Sequence, residues 1–471
     1  MAQKIVICCD GAWHEPINKK DSEMIETNIE KLSKLIDPKK EVKLFYDTGM
    51  PTNGMMEKFK GQDLLQSIKD AYAFIVKNYT KESEIYLFGF SRGAYVVRSV
   101  AGMIRKCGIL TEAGFEDQLD NAMKLYRNLQ LDRNSMEAEM FRAKYTMMPK
   151  DTMKQMANGS HKMRIQHNIK IKFLGVFETV GALGIPTKGL TNLNNEKYQF
   201  HDTMLSPDVM SAYQALAIDE TRSAMMPCVW KAPMHIKEQM IEQCWFAGTH
   251  ANIGGNFSDE GLSNISLHWM LEKARKHGLP LLPAAKKVKG DPFAICQKFS
   301  GAMYRGTKIY ERPLMNIEYA NMMIHESVNK RFQEISLKYY PNNLLYEMRK
   351  KDPTLIIAKE QYNFTGKYLQ AGKKYQFTAD GMWQDKGSPA DASGFQKFHL
   401  KPLRFKKGRT FTLVGTIGRD DTTAFDIGEM IENHATFTPE KSGMLFCFAN
   451  DARSNYGNNT GFIKVGVRGA H

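Results

Sequence analysis

The sequence predicts an α/β domain built on a parallel sheet, followed by a small antiparallel β-sandwich. Three observations carry this. As far as His277, short apolar runs rich in strand formers alternate with segments of helical periodicity, the order that yields a parallel sheet covered on both faces. One such run, Ile85 to Phe88, breaks at Gly89-Phe90-Ser91-Arg92-Gly93 and continues as a helix, which reads as strand, sharp turn, helix. Past Arg349-Lys350-Lys351-Asp352-Pro353 the helical pattern stops, and short alternating runs separated by turn residues take its place. A chain of 471 residues has room for both parts, set here at 1–350 and 354–471.

Taken in order, Lys4 to Cys9 is a buried first strand leading into the loop Asp10-Gly11-Ala12-Trp13. Asn28 to Ile36 is a short amphipathic helix, and Lys43 to Tyr46 a second strand that ends in a polar, glycine-bearing loop at 47–54. Leu64 to Tyr79 is a helix that delivers the chain to the serine strand, and Ala94 to Ile104 is the helix after it. Residues 113–167 are charged, methionine-rich and mostly helical, and read as a helical insertion above the sheet, where a lid over Ser91 would sit. Met136, Met140, Met147, Met148, Met153 and Met156 give that insertion an adaptable apolar face, or ordinary helix-packing contacts. The runs Lys170 to Phe177 and Gln243 to Ala247 are later strands. Each ends in polar residues followed by glycine, at Glu178-Thr179-Val180-Gly181 and Gly248-Thr249-His250, as the C-terminal edge of a catalytic sheet should. Ser263 to His277 is a helix, and 279–351 alternates short helices with loops. The sandwich strands are read at 374–378, 409–414, 444–448 and 462–467.

Composition narrows the function classes. The net charge is +14, but its lysine pairs are scattered and no arginine-rich tail or groove-reading motif appears, so nucleic acid is discounted. A diffuse positive field suits an anionic membrane surface, or simply a solvated basic one. Seven cysteines lie mostly in apolar segments without metal-ligand spacing, which reads as buried free thiols in a reducing compartment. The N-terminus runs straight into a strand without a signal-peptide core, and no stretch is long and apolar enough to cross a bilayer. The expectation is a soluble chain made in the cytoplasm, whose export, if any, uses another route.

The chemistry centres on Ser91. Glycines two residues to either side let the backbone turn sharply there, so that the hydroxyl stands at the C-terminal sheet edge beside the positive end of a helix. A serine needs a base to take its proton, and the base needs an acid to orient it. Glu178 and His250 occupy loops after later strands in the order serine, acid, histidine. Imidazole suits the base because it titrates near neutral pH. The oxyanion donors are expected at the backbone N–H of Arg92 and in the loop around Gly11 and Ala12, with Asp10 bracing that loop. Asp202 and Asp219 are spare carboxylates, and His325 ranks second as the base. No cofactor is expected for catalysis.

At these residues the chain resembles a known family. Cys9-Asp10-Gly11-Ala12-Trp13, Gly89-Phe90-Ser91-Arg92-Gly93-Ala94, the run from Gly175 to Gly184, Phe200-His201-Asp202-Thr203, Ala215 to Glu220 and Trp245 to Gly255 recur in this order in the α/β-hydrolase family of type VI secretion phospholipase effectors and their uncharacterised relatives. The resemblance spans about 3–350. It implies a Ser-Asp-His triad cleaving acyl esters of phospholipids, with Ser91 as nucleophile and His250 as base, export by a type VI system, and a secretion spike or an immunity protein as partner. Two departures stand out: Glu178 replaces the family's aspartate, and Ala251-Asn252-Ile253 replaces its usual Ser-Asp-Val.

The last part has a resemblance of its own. The run from Phe448 to Gly461, within about 365–468, looks like the calcium loop of galactose-binding lectins of the PA-I type. The resemblance implies a calcium ion held by the side chains of Asp451, Asn458 and Asn459 and by the Asn455 carbonyl, coordinating sugar hydroxyls of a glycan. Without a ligand, the same residues make a turn-rich loop that closes the sandwich. Two functions follow: a serine esterase of phospholipase type carrying a lectin-like module, or a carbohydrate-binding scaffold whose hydrolase domain is inactive.

Overall fold

A computed structural model describes residues 2–11, 25–49, 61–147, 169–180, 205–231, 239–297, 310–315, 320–337, 339–396 and 402–470. The chain divides into two compact units, residues 1–331 and 332–471.

Among the described residues, the first unit holds a seven-stranded sheet in which every strand pairing is parallel. Its strands are β1 (Lys4–Cys9), β2 (Val42–Asp47), β3 (Glu84–Phe90), β4 (Ile171–Phe177), β5 (Ser211–Ala217), β6 (Met240–Phe246) and β7 (Met322–Ile324), in the spatial order β2-β1-β3-β4-β5-β6-β7. Central strands buried on both faces have to be apolar throughout. Ile5 to Cys9, Ile85 to Phe88 and Phe173 to Phe177 are accordingly buried without interruption. One face packs on α2 (Gly61–Asn78) and α3 (Arg92–Cys107), where Ile68, Tyr72, Ile75, Val97, Val100 and Ile104 meet Ile5, Ile7, Ile85 and Leu87. The other packs on α1 (Asn28–Leu35), through Ile29 and Leu32, and on the later helix Gly261–Lys276, through Leu267, Met270 and Leu271. Within the expected insertion, α4 (Glu112–Arg127) and α5 (Met136–Tyr145) are helices, with Met136 and Met140 exposed on α5. Met148, Met153 and Met156 lie outside the described residues.

The second unit contains two four-stranded antiparallel sheets. One runs β11-β10-β15-β8 and the other β13-β12-β14-β9. Their strands are β8 (Leu355–Ile357), β9 (Asn363–Leu369), β10 (Tyr375–Asp385), β11 (Ser388–Ala390), β12 (Leu413–Ile417), β13 (Phe425–Asp426), β14 (Gly443–Ala449) and β15 (Asn459–Gly469). Trp383, Ile463 and Val465 from the first sheet and Leu413, Leu445 and Cys447 from the second share one core, which makes a sandwich.

Candidate functional site

The bend after β3 brings the candidate nucleophile to the sheet's C-terminal edge. Ser91 has φ 55° and ψ −115°, a conformation that costs a non-glycine residue strain and tends to be kept where function needs it. Its N–H donates to Phe177 O of β4 at 3.0 Å, which ties the bend to the next strand. The flanking glycines are needed for space: a Cβ on Gly89 would lie 2.5 Å from Gly93 O, and one on Gly93 would lie 2.0 Å from Cys9 O. Arg92 opens α3, where the first N–H groups of a helix point out of its end.

The loop after β1 reaches the same place. A Cβ on Gly11 would lie 3.1 Å from the Ser91 Cβ, so this loop passes directly against the serine. Asp10, buried, braces it: Gly11 N–H donates to Asp10 Oδ1 at 2.7 Å, and Thr27 Oγ1 and Tyr46 OH donate to its Oδ2. Burial, and then the charge of Asp10, push the Tyr46 phenol well above its ordinary range, which keeps it a donor. Ala12 lies outside the described residues.

Glu178 follows β4 with φ 43°, its N–H on Ala215 O of β5 at 2.9 Å and its side chain wholly buried. His250 follows β6 as the first residue of α6 (His250–Gly254). The two side chains meet, His250 Nδ1 to Glu178 Oε2 at 3.1 Å. The His250 ring also lies against Phe90, the residue before the serine, with ring centroids 4.8 Å apart. The imidazole therefore touches both the buried carboxylate and the residue that precedes the serine.

Several groups hold that imidazole in place. His250 N–H donates to Glu220 Oε2 at 3.3 Å, and Glu220 is itself paired with Arg222. Asp219, a spare acid in the sequence, accepts Gly248 N–H at 2.6 Å and so fixes the approach to α6. Asn252, at the family's Asp position, caps α6: its Oδ1 accepts Thr249 N–H at 3.0 Å. Asp202 lies outside the described residues. His325 follows edge strand β7, with its ring on Phe246 and its Nδ1 within 2.8 Å of Ser327 Oγ.

One residue at the site was invisible in the sequence. Arg312, buried, donates from Nη1 to Glu178 Oε1 at 2.8 Å and from Nη2 to Glu178 Oε2 at 3.0 Å. The largest influence on Glu178 is burial, which pushes a carboxyl up. Arg312 and His250 outweigh it and hold the group at about 2. No local pattern announces Arg312, which lies between loop segments and far from any motif.

In the second unit, Asp451 and Asn459 are buried, and Asp451 Oδ2, Asn458 Oδ1 and Asn459 Oδ1 are enclosed without a hydrogen-bond partner. Asp451 Oδ1 accepts Ala452 N–H at 2.6 Å, and the Asn455 carbonyl accepts Asn458 N–H at 3.1 Å. Unpartnered buried oxygens are costly in a native fold, and three on one short loop make a set of hard donors suited to a divalent cation.

A family model described as the catalytic domain of type VI secretion, Tle1-like phospholipase effectors matches residues 3–273. An uncharacterized protein of Saccharomyces cerevisiae is 32% identical over 118 residues, which cover 25% of this chain and 16% of its own. Among solved structures, an uncharacterized protein from Pseudomonas aeruginosa is 13% identical with a TM-score of 0.34, over 62% of this chain and 49% of that one. The Tle1 effector solved bound to the VgrG spike is 20% identical with a TM-score of 0.30, over 55% and 52%. The N-terminal domain of EclA, a PllA-like lectin, is 19% identical with a TM-score of 0.19, over 25% of this chain and 93% of its own. The chain thus spans 16% of the yeast protein, and about half of the Pseudomonas aeruginosa protein and of the Tle1 effector.

Proposed function

Because the chain belongs to the family of Tle1-like phospholipase effector catalytic domains of type VI secretion, we propose that it is a serine esterase hydrolysing acyl esters of phospholipids, with Ser91 as nucleophile, His250 as base and Glu178 as acid. The observation that carries this reading is the 3.1 Å contact of His250 Nδ1 with a buried carboxylate, on an imidazole whose ring lies tilted against the residue before a strained serine. With Nδ1 held by Glu178, the other ring nitrogen is the one left to take the Ser91 proton as Oγ attacks the acyl carbonyl. The proton passes to the leaving alcohol, and water, activated by the same imidazole, releases the fatty acid and restores the serine. The negative oxygen formed on attack is stabilised by Arg92 N–H and a donor from the 11–12 loop. In that loop Gly11 N–H donates to Asp10 Oδ1.

No described helix is long and apolar enough to cross a membrane. Export by a type VI apparatus, carriage on a spike protein and neutralisation by an immunity protein belong to the same proposal. Mass spectrometry of the products from mixed phospholipids, wild type against Ser91→Ala, tests it. Free fatty acid and lysolipid released by the wild type alone support it. Equal and negligible release by both proteins removes the enzyme and leaves a scaffold.

For the second unit we infer a calcium site at Asp451, Asn455, Asn458 and Asn459, where a bound ion would hold sugar hydroxyls. The enclosed oxygens of Asp451, Asn458 and Asn459 support it. A rise in melting temperature with calcium, absent in Asp451→Ala, is the expected result. No rise in the wild type ends the inference.

A further inference from the structure

The geometry points to Arg312 as a positioning residue for the proposed triad, one that holds the Glu178 carboxylate in a single orientation facing His250. This rests on the reading of Ser91, Glu178 and His250 as nucleophile, acid and base.

An ionised carboxylate has about four acceptor positions. At Glu178 four donors fill them. Oε1 accepts Ala217 N–H at 2.7 Å and Arg312 Nη1 at 2.8 Å, while Oε2 accepts Arg312 Nη2 at 3.0 Å and faces His250 Nδ1 at 3.1 Å. Three of the four belong to the scaffold, so the imidazole receives the one direction that is left. Arg312 does not depend on Glu178 for its own place. Its Nη1 also donates to Ala217 O at 2.8 Å and its Nη2 to Met225 O at 2.5 Å, which fixes the fork to the end of β5 and the turn beyond it. A planar guanidinium meets a carboxylate edge on and restrains its rotation, which a single ammonium cannot do.

The same clamp gives a reason for glutamate where the related family has aspartate. The side chain must span from a left-handed backbone position to the fixed fork and still present an oxygen to the ring. One methylene more supplies that reach. Charge is the second consequence. A wholly buried carboxylate without a cation tends to bind a proton, and a protonated acid no longer fixes the imidazole tautomer. The titratable and charged groups around it are Arg312 and the His250 imidazole in direct contact, and the Glu220–Arg222 pair and Asp219 on the loop after β5.

The test follows hydrolysis of a soluble p-nitrophenyl ester by the full chain, across acid and neutral pH, for wild type, Arg312→Met, Arg312→Lys and Ser91→Ala, with circular dichroism as the check on folding. Arg312→Met is expected to lower kcat by about 10²-fold, the loss that follows a misplaced catalytic group, with KM little changed. Its acid limb of kcat/KM moves to higher pH, because Glu178 now takes up a proton there. Arg312→Lys keeps the limb in the wild-type position and lowers kcat, since the charge survives and the fork does not. A merely structural role lowers the melting temperature of both variants and leaves kcat and the limb of the folded fraction as in wild type, which overturns the inference. Should Arg312→Met fail to fold, Arg312→Lys decides: reduced kcat at unchanged KM supports the inference, and wild-type kcat overturns it. Hydrolysis that persists in Ser91→Ala removes the triad reading itself. A dead Ser91→Ala beside a wild-type Arg312→Met removes only the role of Arg312.

Discussion

Replacing Gly254 by alanine should disturb the candidate base through the ring that lies against it. Gly254 ends α6, and a Cβ built there lies 2.0, 2.2 and 2.3 Å from Cε2, Cζ and Cδ2 of Phe90, where ordinary contact begins at 3.4 Å. The Phe90 ring has to give by roughly 1 Å, far up the repulsive wall of a carbon–carbon contact. It has little room. The Gly11 backbone lies close by, with its Cβ direction 3.3 Å from Phe90 Cδ1, and the His250 ring sits 4.8 Å away. The push therefore reaches His250. Overpacking of this kind costs about 1–3 kcal/mol of stability, and a displacement near 1 Å at the base costs about 10²-fold in kcat. The assay is kcat and KM for a soluble ester together with a thermal melt, with Gly469→Ala as the control, since nothing lies within 4 Å of a Cβ there. Wild-type kcat and melting temperature in Gly254→Ala would refute the placement of Phe90 against His250.

Acid stability follows from Glu178. Its folded pKa of about 2 lies below the ordinary 4.5, so the stability it contributes is fully present above the ordinary value and is lost as pH falls toward 2. The loss across that window is about 3 kcal/mol, and a urea titration at stepped pH should show a flatter profile for Glu178→Gln. At the serine bend, Gly93→Ala should fail to give soluble folded protein, because its Cβ would meet the Cys9 and Asp10 carbonyls, which are backbone and cannot turn aside. Gly102→Ala, facing only the Tyr126 side chain at 3.1 Å, should fold; soluble expression and circular dichroism compare the two.

The strands legible in the sequence are those with apolar runs rich in β-branched and aromatic residues, β1, β3 and β4 among them. β5 escaped it because Ser-Ala-Tyr-Gln-Ala-Leu-Ala carries no β-branched residue and two of the best helix formers; pairing on both sides with β4 and β6 decides its state. β7 has three residues, too few for any periodicity. β10 runs past the expected 374–378 to Asp385, paired with β15 along its whole length, and Gly381, with φ 112°, takes a backbone conformation within it that a side chain would resist. At the candidate site, Ser91, Glu178 and His250 were legible because each stands where a strand ends, a position that periodicity reveals. Arg312 was not, since its role arises when a distant loop folds back over β5. The same holds for Asn252, whose departure from the family's residue becomes intelligible as a helix cap only once α6 is seen.

The proposed chemistry requires that the Ser91 hydroxyl be activated. Labelling with a fluorophosphonate, which reacts with activated serines, and locating the adduct by peptide mass spectrometry tests it most directly. One adduct is expected, on Ser91, lost in Ser91→Ala and strongly slowed in His250→Gln. An unlabelled Ser91 in the folded wild-type protein, or labelling that proceeds equally without His250, would contradict it.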